Sequence, residues 1–588
     1  MIKRTYLGRA HNMNTETATK SKETIKNTGA TFTPQRLADF LAEEILSHVA
    51  SRNISVLDPS CGEGELLNAI GAKLSQSDEA FSLMGYDSDN GYLSIARERL
   101  RQYNQPQNNL VYGDFLELTA LPEADLLTPS LFDNDNSQEL VDVVIANPPY
   151  VRTQILGSEE AQRLAQKFNL KGRVDLYYPF LISMTARLKT GGILGVITSN
   201  RYLSTKSGES IRSFLAENYE ILEVIDLGDT KLFDAAVLPA IFIGRKKDSK
   251  SKETTSAKFI KIYQELNGYN GKLIPSNDIY DVLKNGDAGY FVVDNTKYKK
   301  SIGTLKCIGN GDSSWEMLNI DEALWVSKIE ANSKFKIGDL FKVRVGIKTT
   351  ADKVFISEKW DDILDGKPEE ILLKDLISQE NIERWGSKEN LKLKILYTHF
   401  SDNGKKRTIN LKNYPNAKKY LERNAEQLKS RTYVTEAGRE WFEIWVSHNP
   451  DLWELPKLVF PDISNVPRFF FDSGGKLVNG NCYWIVGKGK GDIDALLLIQ
   501  GVANSKLMTK YHDLVFNNKL YSGRRRYLTQ YVEKYPMPDP ASPYAKEIVR
   551  IVKKLNVEIN LGAITLLEQD LEFAVANAFE VPVVSTLH

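Results

Sequence analysis

The chain has 588 residues, 42% apolar and 26% charged, a globular composition that excludes disorder as its main state and allows two large domains or three to four smaller ones. Three cysteines (Cys61, Cys307, Cys482) exclude a disulfide framework and a four-cysteine zinc site, and six histidines without ligand spacing predict no metal. The formal charge is zero, 76 basic against 76 acidic, yet residues 28–245 carry 18 against 29, residues 246–588 carry 52 against 45, and the first 27 carry 6 against 2.

A basic second half of this kind points to nucleic acid or a membrane surface. No uncharged stretch approaches the ~18 residues that span a bilayer, and Lys3 and Arg4 precede no apolar core of a secretory signal. A reduced, soluble, cytoplasmic protein is expected.

In chain order, Ser55–Leu57 reads as a short strand ending in Asp58-Pro59-Ser60-Cys61-Gly62-Glu63-Gly64, and Leu66, Leu67, Ile70 and Leu74 then share one helix face. Ser82–Tyr86 is a second strand ending at Asp87, and Asn109–Tyr112 a third ending at Gly113-Asp114. Val141–Ala146 is a continuous apolar run ending at Asn147-Pro148-Pro149-Tyr150. A helix over Asp175–Leu188, a Gly191-Gly192 stop and a buried strand over Ile193–Thr198 follow. Strands separated by helices, with polar residues just past the strand ends, predict a doubly wound, mostly parallel α/β sheet that binds its ligand at the carboxyl ends of the strands.

The last two apolar runs, Ile221–Leu227 and Val237–Ile243, predict a hairpin at the sheet edge. Lys246–Lys258 turns polar and charged and reads as a linker or exposed loop, placing domain boundaries at 1–27, 28–245 and 246–588. The last of these is richer in aromatics and reads as a separate α/β domain.

The turn Asp58–Gly64 lets backbone approach a ligand closely, but it lacks the dinucleotide spacing, since position 67 is Leu, and the Lys-Ser/Thr of a P-loop. An acid at the strand end suits a cationic centre better than a pyrophosphate. Asp87, at the tip of the next strand, is placed to accept bonds from ribose hydroxyls. An adenosine with a cationic, phosphate-free tail fits, and S-adenosylmethionine is such a molecule.

Asn147-Pro148-Pro149-Tyr150 suits methylation of an exocyclic amine. The lone pair of such an amine is delocalised into its ring. The Asn147 side-chain oxygen and the Pro148 carbonyl can accept its N–H bonds and draw the nitrogen towards tetrahedral geometry. The two prolines fix both acceptors in advance, and Tyr150 can stack on the planar base.

These residues carry a resemblance. TGATFTP (28–34), LDPSCGEGELL (57–67), GYDSD (85–89), GDFLE (113–117), NPPY (147–150) and LGDTKLFDAAVLPAIF (227–242) resemble, in order, the motifs of the gamma-class, TaqI-like adenine-N6 DNA methyltransferases of restriction–modification systems. The resemblance implies a class I S-adenosylmethionine-dependent methyltransferase domain over 28–245 and a DNA target-recognition domain over 246–588. It implies that Thr33, Asp58, Ser60 and Gly62 touch the methionine part of the cofactor, that Asp87 holds the ribose and Asp114 the adenine amine, and that Phe115 packs on the adenine. Asn147 and Pro148 would hold the target amine, with Tyr150 and Phe233 stacking on the flipped-out base. The segment from Val343 to Thr350 is similar to the start of the family's recognition domain, which makes Arg344 and Lys348 candidate DNA contacts. This sequence departs from the family form in a longer segment before Phe233 and in the glycine-rich Gly62-Glu63-Gly64.

Similar tetrapeptides occur in enzymes that methylate protein glutamine amides or RNA bases, so an RNA-base or protein-amide N-methyltransferase is the alternative, with an inactive DNA-recognition module as a third reading. The basic second half favours double-stranded DNA, with a separate cognate restriction endonuclease as a further partner. Cytosine-C5 chemistry needs a cysteine after proline, and no Pro-Cys dipeptide is present. Cys61 and Cys482 read as packing residues. Arg524-Arg525-Arg526, flanked by Tyr521, Tyr527 and Tyr531, forms the densest basic–aromatic cluster and is expected to contact DNA phosphate or guanine.

Overall fold

A computed structural model describes residues 33–50, 52–77, 79–103, 108–118, 139–150, 158–168, 175–205, 208–233, 238–248, 256–265, 271–306, 315–386, 392–487, 493–516 and 523–584. The N-terminal extension, Cys307 and Tyr521 lie outside them. Two compact units meet at Ile320/Asp321.

The first unit is built on one large sheet. Its strands are β1 (Ile54–Asp58), β2 (Phe81–Asp87), β3 (Asn109–Tyr112), β4 (Val141–Ala146), β5 (Leu188–Ser199), β6 (Tyr219–Asp226), β7 (Pro239–Lys246), β8 (Ser256–Gln264), β9 (Ile274–Pro275), β10 (Gly289–Val293), β11 (Thr296–Lys306) and β12 (Glu316–Leu318). Their order is β3-β2-β1-β4-β5-β7-β6-β8-β11-β10-β9, with β12 on β11. Strands β1 to β5 run parallel, and β7 is antiparallel to both β5 and β6. This is the doubly wound, mostly parallel α/β sheet that the strand pattern predicts.

Alternation along each strand makes two cores. Val56, Val143, Ile145, Ile193 and Ile197 face one side, covered by α1 (Gln35–Leu46), α2 (Glu65–Leu74) and Leu93 and Leu100 of α3 (Asn90–Leu100). Leu57, Val144, Ala146, Leu194 and Val196 face the other, covered by α4 (Tyr177–Arg187). Burial on both faces explains why these strands read as continuous apolar runs.

Three expectations are corrected. The Ile221–Ile243 hairpin is not at the edge: β7 inserts between β5 and β6, and β6 continues into β8. The boundary therefore cannot fall at 245/246. Lys246 ends β7, and Phe259, Ile260 and Ile262 of β8 complete the cores, so the first unit runs to Ile320. Gly191-Gly192 does not precede β5 but lies inside it, where the register against β4 jumps from Val141↔Leu188 to Val143↔Ile193.

The second unit is an α/β mixture, as expected. One four-stranded sheet orders β13 (Lys342–Val345), β16 (Cys482–Val486), β14 (Lys457–Pro461) and β15 (Phe470–Asp472). Its core takes in Trp360, Trp453, Trp484 and Phe442. Toward the C-terminus come α5 (Ile493–Asn504), α6 (Lys506–Phe516), α7 (Pro543–Leu555) and α8 (Leu561–Ala578). Among the described residues no helix is long and apolar enough to cross a membrane.

Candidate active site

Because β1, β2 and β4 are parallel and in register, their carboxyl ends bring Asp58, Asp87 and Asn147 to one edge of the sheet. Asp87 organises the turns there. Its carboxylate accepts from Gly62 N at 2.8 Å and Asp89 N at 2.8 Å, and its carbonyl accepts from Gly113 N at 2.9 Å. Burial raises its pKa. Each carboxylate oxygen keeps lone-pair capacity beyond these bonds. Gly62 and Gly64 adopt left-handed backbone (φ +52° and +82°), and a Cβ on Gly64 would press on Ala96 Cβ at 3.1 Å. The turn thus needs glycine both for its conformation and for its seat on α3.

Asp58 is 1% exposed. Burial pushes its pKa up to about 8, with the Asp87 and Glu65 charges adding, opposed by the Ser60 N–H bond of 3.0 Å. A carboxylate buried this way is costly unless a cation joins it. The two carboxylates therefore fit, as acceptors, a ligand whose ammonium sits beside Asp58 and whose hydroxyls reach Asp87.

Asn147 begins the proline turn and is 9% exposed. Its Nδ2 donates to Thr33 Oγ1 at 2.9 Å, and its Oδ1 accepts from the Tyr150 hydroxyl at 2.5 Å. Ser60 Oγ reaches its carbonyl at 3.5 Å. Thr33, Ser60, Asn147 and Tyr150, distant in sequence, thus form one connected site with Asp58 and Asp87. Burial raises the Tyr150 phenol, which keeps it a protonated donor.

The remaining candidates divide. Asp114 is exposed and accepts from Leu116 N at 2.8 Å, while Phe115 is buried between Tyr86 (5.3 Å, edge-on) and Phe180 (5.9 Å, stacked). Phe233 packs into the first core. Its loop hangs from a buried cluster that the sequence pattern does not show. Asp226 accepts from Asn200 Nδ2 at 3.0 Å, Tyr263 OH at 2.7 Å and Gly228 N at 3.1 Å. Strand-terminal Asn200 and Asp226 are signals that could have found it, but Tyr263 lies beyond the expected boundary. Cys61 and Cys482 are buried, and burial pushes both thiols up, against a nucleophilic role.

In the second unit the arginine run divides. Arg525 is 5% exposed and grips Asp513 at 2.6 and 2.7 Å, and Arg526 pairs with Asp462 at 2.7 Å. Tyr527 and Tyr531 are buried. Arg525 is thus held in a buried ion pair, Arg526 in a partly exposed one, and Arg524 is exposed. Arg344 lies over Trp484 at 5.8 Å with its Nε buried and unbonded, whereas Lys348 is exposed.

The fold and this edge describe a class I methyltransferase. Residues 80–233 match the Eco57I restriction-modification methylase family. The chain is 47% identical to the type II methyltransferase M.BanIII of Aneurinibacillus aneurinilyticus over 543 residues, 90% of this chain and 93% of that protein. It is 26% identical to the type II methyltransferase M.BstVI of Geobacillus stearothermophilus, over 87% of this chain and 90% of that one. Among solved structures, a nuclease-deletion mutant of the type ISP restriction-modification enzyme LlaGI, solved with a DNA substrate mimic, is similar in fold (TM-score 0.50, 14% identity), covering 93% of this chain and 48% of that one. The chain belongs to the type II DNA methyltransferases of restriction–modification systems.

Proposed function

We propose that the protein transfers a methyl group from S-adenosylmethionine to adenine N6 within a specific double-stranded DNA sequence (EC 2.1.1.72), and so shields that sequence from a cognate restriction nuclease in the cytoplasm. The first unit is assigned to catalysis and the second to target recognition. The observation that carries the reading is the Asn147 amide. Both its ends are held, by Thr33 and Tyr150, so the amide is fixed at the strand-end edge that also carries Asp58 and Asp87.

Asp58 would hold the ammonium of the cofactor, Asp87 its ribose, and Thr33, Ser60 and Gly62 would line its methionine part, while Asp114 and Phe115 would flank its adenine. When bound, S-adenosylmethionine supplies an electrophilic methyl group on a sulfonium. Asn147 Oδ1 and the Pro148 carbonyl accept the two N–H bonds of the target amine, localising its lone pair. The proline pair holds both acceptors before substrate arrives, so little ordering cost falls on binding. The proton departs without a titrating base, because a nitrogen that gains a fourth substituent becomes strongly acidic. A duplex base reaches this edge only by leaving the helix, which takes a few kcal/mol. Stacking on Tyr150 and Phe233 is assigned to offset that cost. Phe233, now in the core, would have to swing out.

Mapping N6-methyladenine across the DNA of a host expressing the chain tests the reading. One short methylated motif is expected. Methylation of RNA or protein alone, or of cytosine, would overturn it.

A further inference from the structure

With Arg525 and Arg526 ion-paired to Asp513 and Asp462, a second candidate for reading DNA is worth seeking in the same unit. One element stands apart. The sequence His-Phe-Ser-Asp-Asn-Gly-Lys-Lys-Arg-Thr over 399–408 folds into a two-stranded antiparallel ribbon, His399–Asp402 against Lys405–Thr408, that pairs with no other strand among the described residues. Its turn places Asn403 (φ +50°) and Gly404 (φ +76°) in left-handed backbone, the type I′ geometry whose twist matches a tight hairpin.

A lone hairpin is marginal in water, and this one is secured through one face and at its turn, where Asn449 Nδ2 donates to the Gly404 carbonyl at 3.0 Å. The register pairs His399 with Thr408, Phe400 with Arg407, Ser401 with Lys406, and Asp402 with Lys405. Alternation therefore puts His399, Ser401, Lys406 and Thr408 on one side. That side is anchored: His399 Nε2 meets Glu443 at 3.4 Å, Ser401 Oγ donates to Asp451 at 2.8 Å, and Lys406 Nζ donates to Ser447 Oγ at 3.0 Å.

The opposite side presents Phe400, Asp402, Lys405 and Arg407 to solvent, with Phe400 46% exposed. The ion pair on this side, Arg407 with Asp402 at 3.7 Å, joins two half-exposed side chains and is worth little. An outward aromatic beside two cations is a poor surface to leave bare and a good one to set against a polyanion. A two-stranded ribbon fits the major groove, arginine reads guanine O6 and N7, and an apolar ring suits a thymine methyl.

We infer that the ribbon 399–408 enters the major groove of the target duplex, with Arg407 on a base edge, Phe400 beside it and Lys405 on phosphate. The inference rests on the DNA reading above. Its test uses the full chain and separates binding from chemistry. For Lys405→Ala with Arg407→Ala, affinity for a duplex carrying the mapped motif should fall about 10- to 100-fold. The log–log salt slope should become shallower by about one. Arg407→Lys keeps the charge and loses the fork, so it should keep the slope and relax preference at one base pair. A charge-matched control, Lys546→Ala with Lys554→Ala on α7, should change neither. Unaltered affinity, slope and preference in the ribbon variants, or an equal loss in the control, overturns the inference. Such a result with normal wild-type methylation would leave the ribbon to a protein partner. Absence of N6-methyladenine beside intact ribbon-dependent binding would instead count against the adenine reading alone.

Discussion

Two segments of this chain advertise chemistry equally loudly in sequence, Asn147–Tyr150 and Arg524–Arg526, and the fold treats them in opposite ways. The first lies at the carboxyl end of β4, where parallel strands stop together and bring their end residues side by side. Asn147 is fixed at both ends of its amide. The second lies where α6 supplies Asp513 and the residue just past β14 supplies Asp462, so Arg525 and Arg526 are ion-paired while Arg524 stays exposed. A strand-end motif is exposed to function by topology. A charge run has no such guarantee, because its neutralising partners are set by tertiary packing.

The sharpest way to break this contrast is Asn147→Ala. Loss of a positioned acceptor that acts only as the amine becomes tetrahedral should lower turnover on the order of 10³-fold, about 4 kcal/mol. Cofactor affinity, measured by calorimetry, should stay within a few-fold. Near-normal methyl transfer would remove Asn147 from the site.

Arg525→Ala tests the other side. Removing one partner of a buried pair strands Asp513, and a cost of about 3 kcal/mol is expected in denaturant unfolding of the second unit. Arg524→Ala, on an exposed side chain, should change stability by less than about 0.5 kcal/mol. Equal stability of the two variants, with weaker DNA binding in Arg525→Ala, would restore the run to the DNA surface.

Period-2 and period-3.6 patterns made β1 to β5 and their helices readable, because each strand is buried on both faces and each turn carries Gly, Pro or Asp. The insertion of β7 was not readable. Val237–Ile243 looks the same whether it sits at an edge or between two strands, and only pairing decides. The same limit moved the boundary, since the polar stretch Lys246–Lys258 begins at the end of β7 and finishes within β8, two strands of one sheet. At the site, Asp58, Asp87 and Asn147 were legible as strand-end residues, whereas Thr33 acquires its place only through a bond to Asn147, and Asp226–Asn200–Tyr263 only through three strands meeting.

Asp58→Asn asks whether the site is built for a cation. The folded pKa near 8 lies above the ordinary 3.8, so between these values the native state holds a proton that the unfolded chain has lost. Stability from this group is therefore intact below about pH 4 and declines up to about pH 8. Asparagine cannot ionise, so the ligand-free variant should gain stability, and the gain should be about 2 kcal/mol larger at pH 8.5 than at pH 5.5. That lies below the roughly 1.4 kcal/mol per unit a full shift would give. Cofactor affinity should fall at the same time. A gain independent of pH, followed by thermal melts at both values, would mean that Asp58 is not strained by burial.

Tyr150→Phe is the finest probe, because it separates the hydroxyl from the ring. The hydroxyl donates to Asn147 Oδ1 and holds the amide; the ring is what would stack on an extruded base. Phenylalanine keeps the ring and removes one hydrogen bond, worth about 0.5–1.5 kcal/mol net. Turnover should therefore drop roughly 2- to 12-fold, by the same factor on a paired target adenine and on a mismatched one, since holding the amide is indifferent to how the base arrived. Tyr150→Ala removes both functions. Its additional loss, about 1–3 kcal/mol for one stacked base, should appear on the paired duplex and shrink on the mismatch, where extrusion takes less. Single-turnover rates on the two substrates measure both ratios. If phenylalanine already discriminates between paired and mismatched targets, the hydroxyl takes part in extrusion, and Tyr150 does not divide its work between amide and ring as this geometry implies.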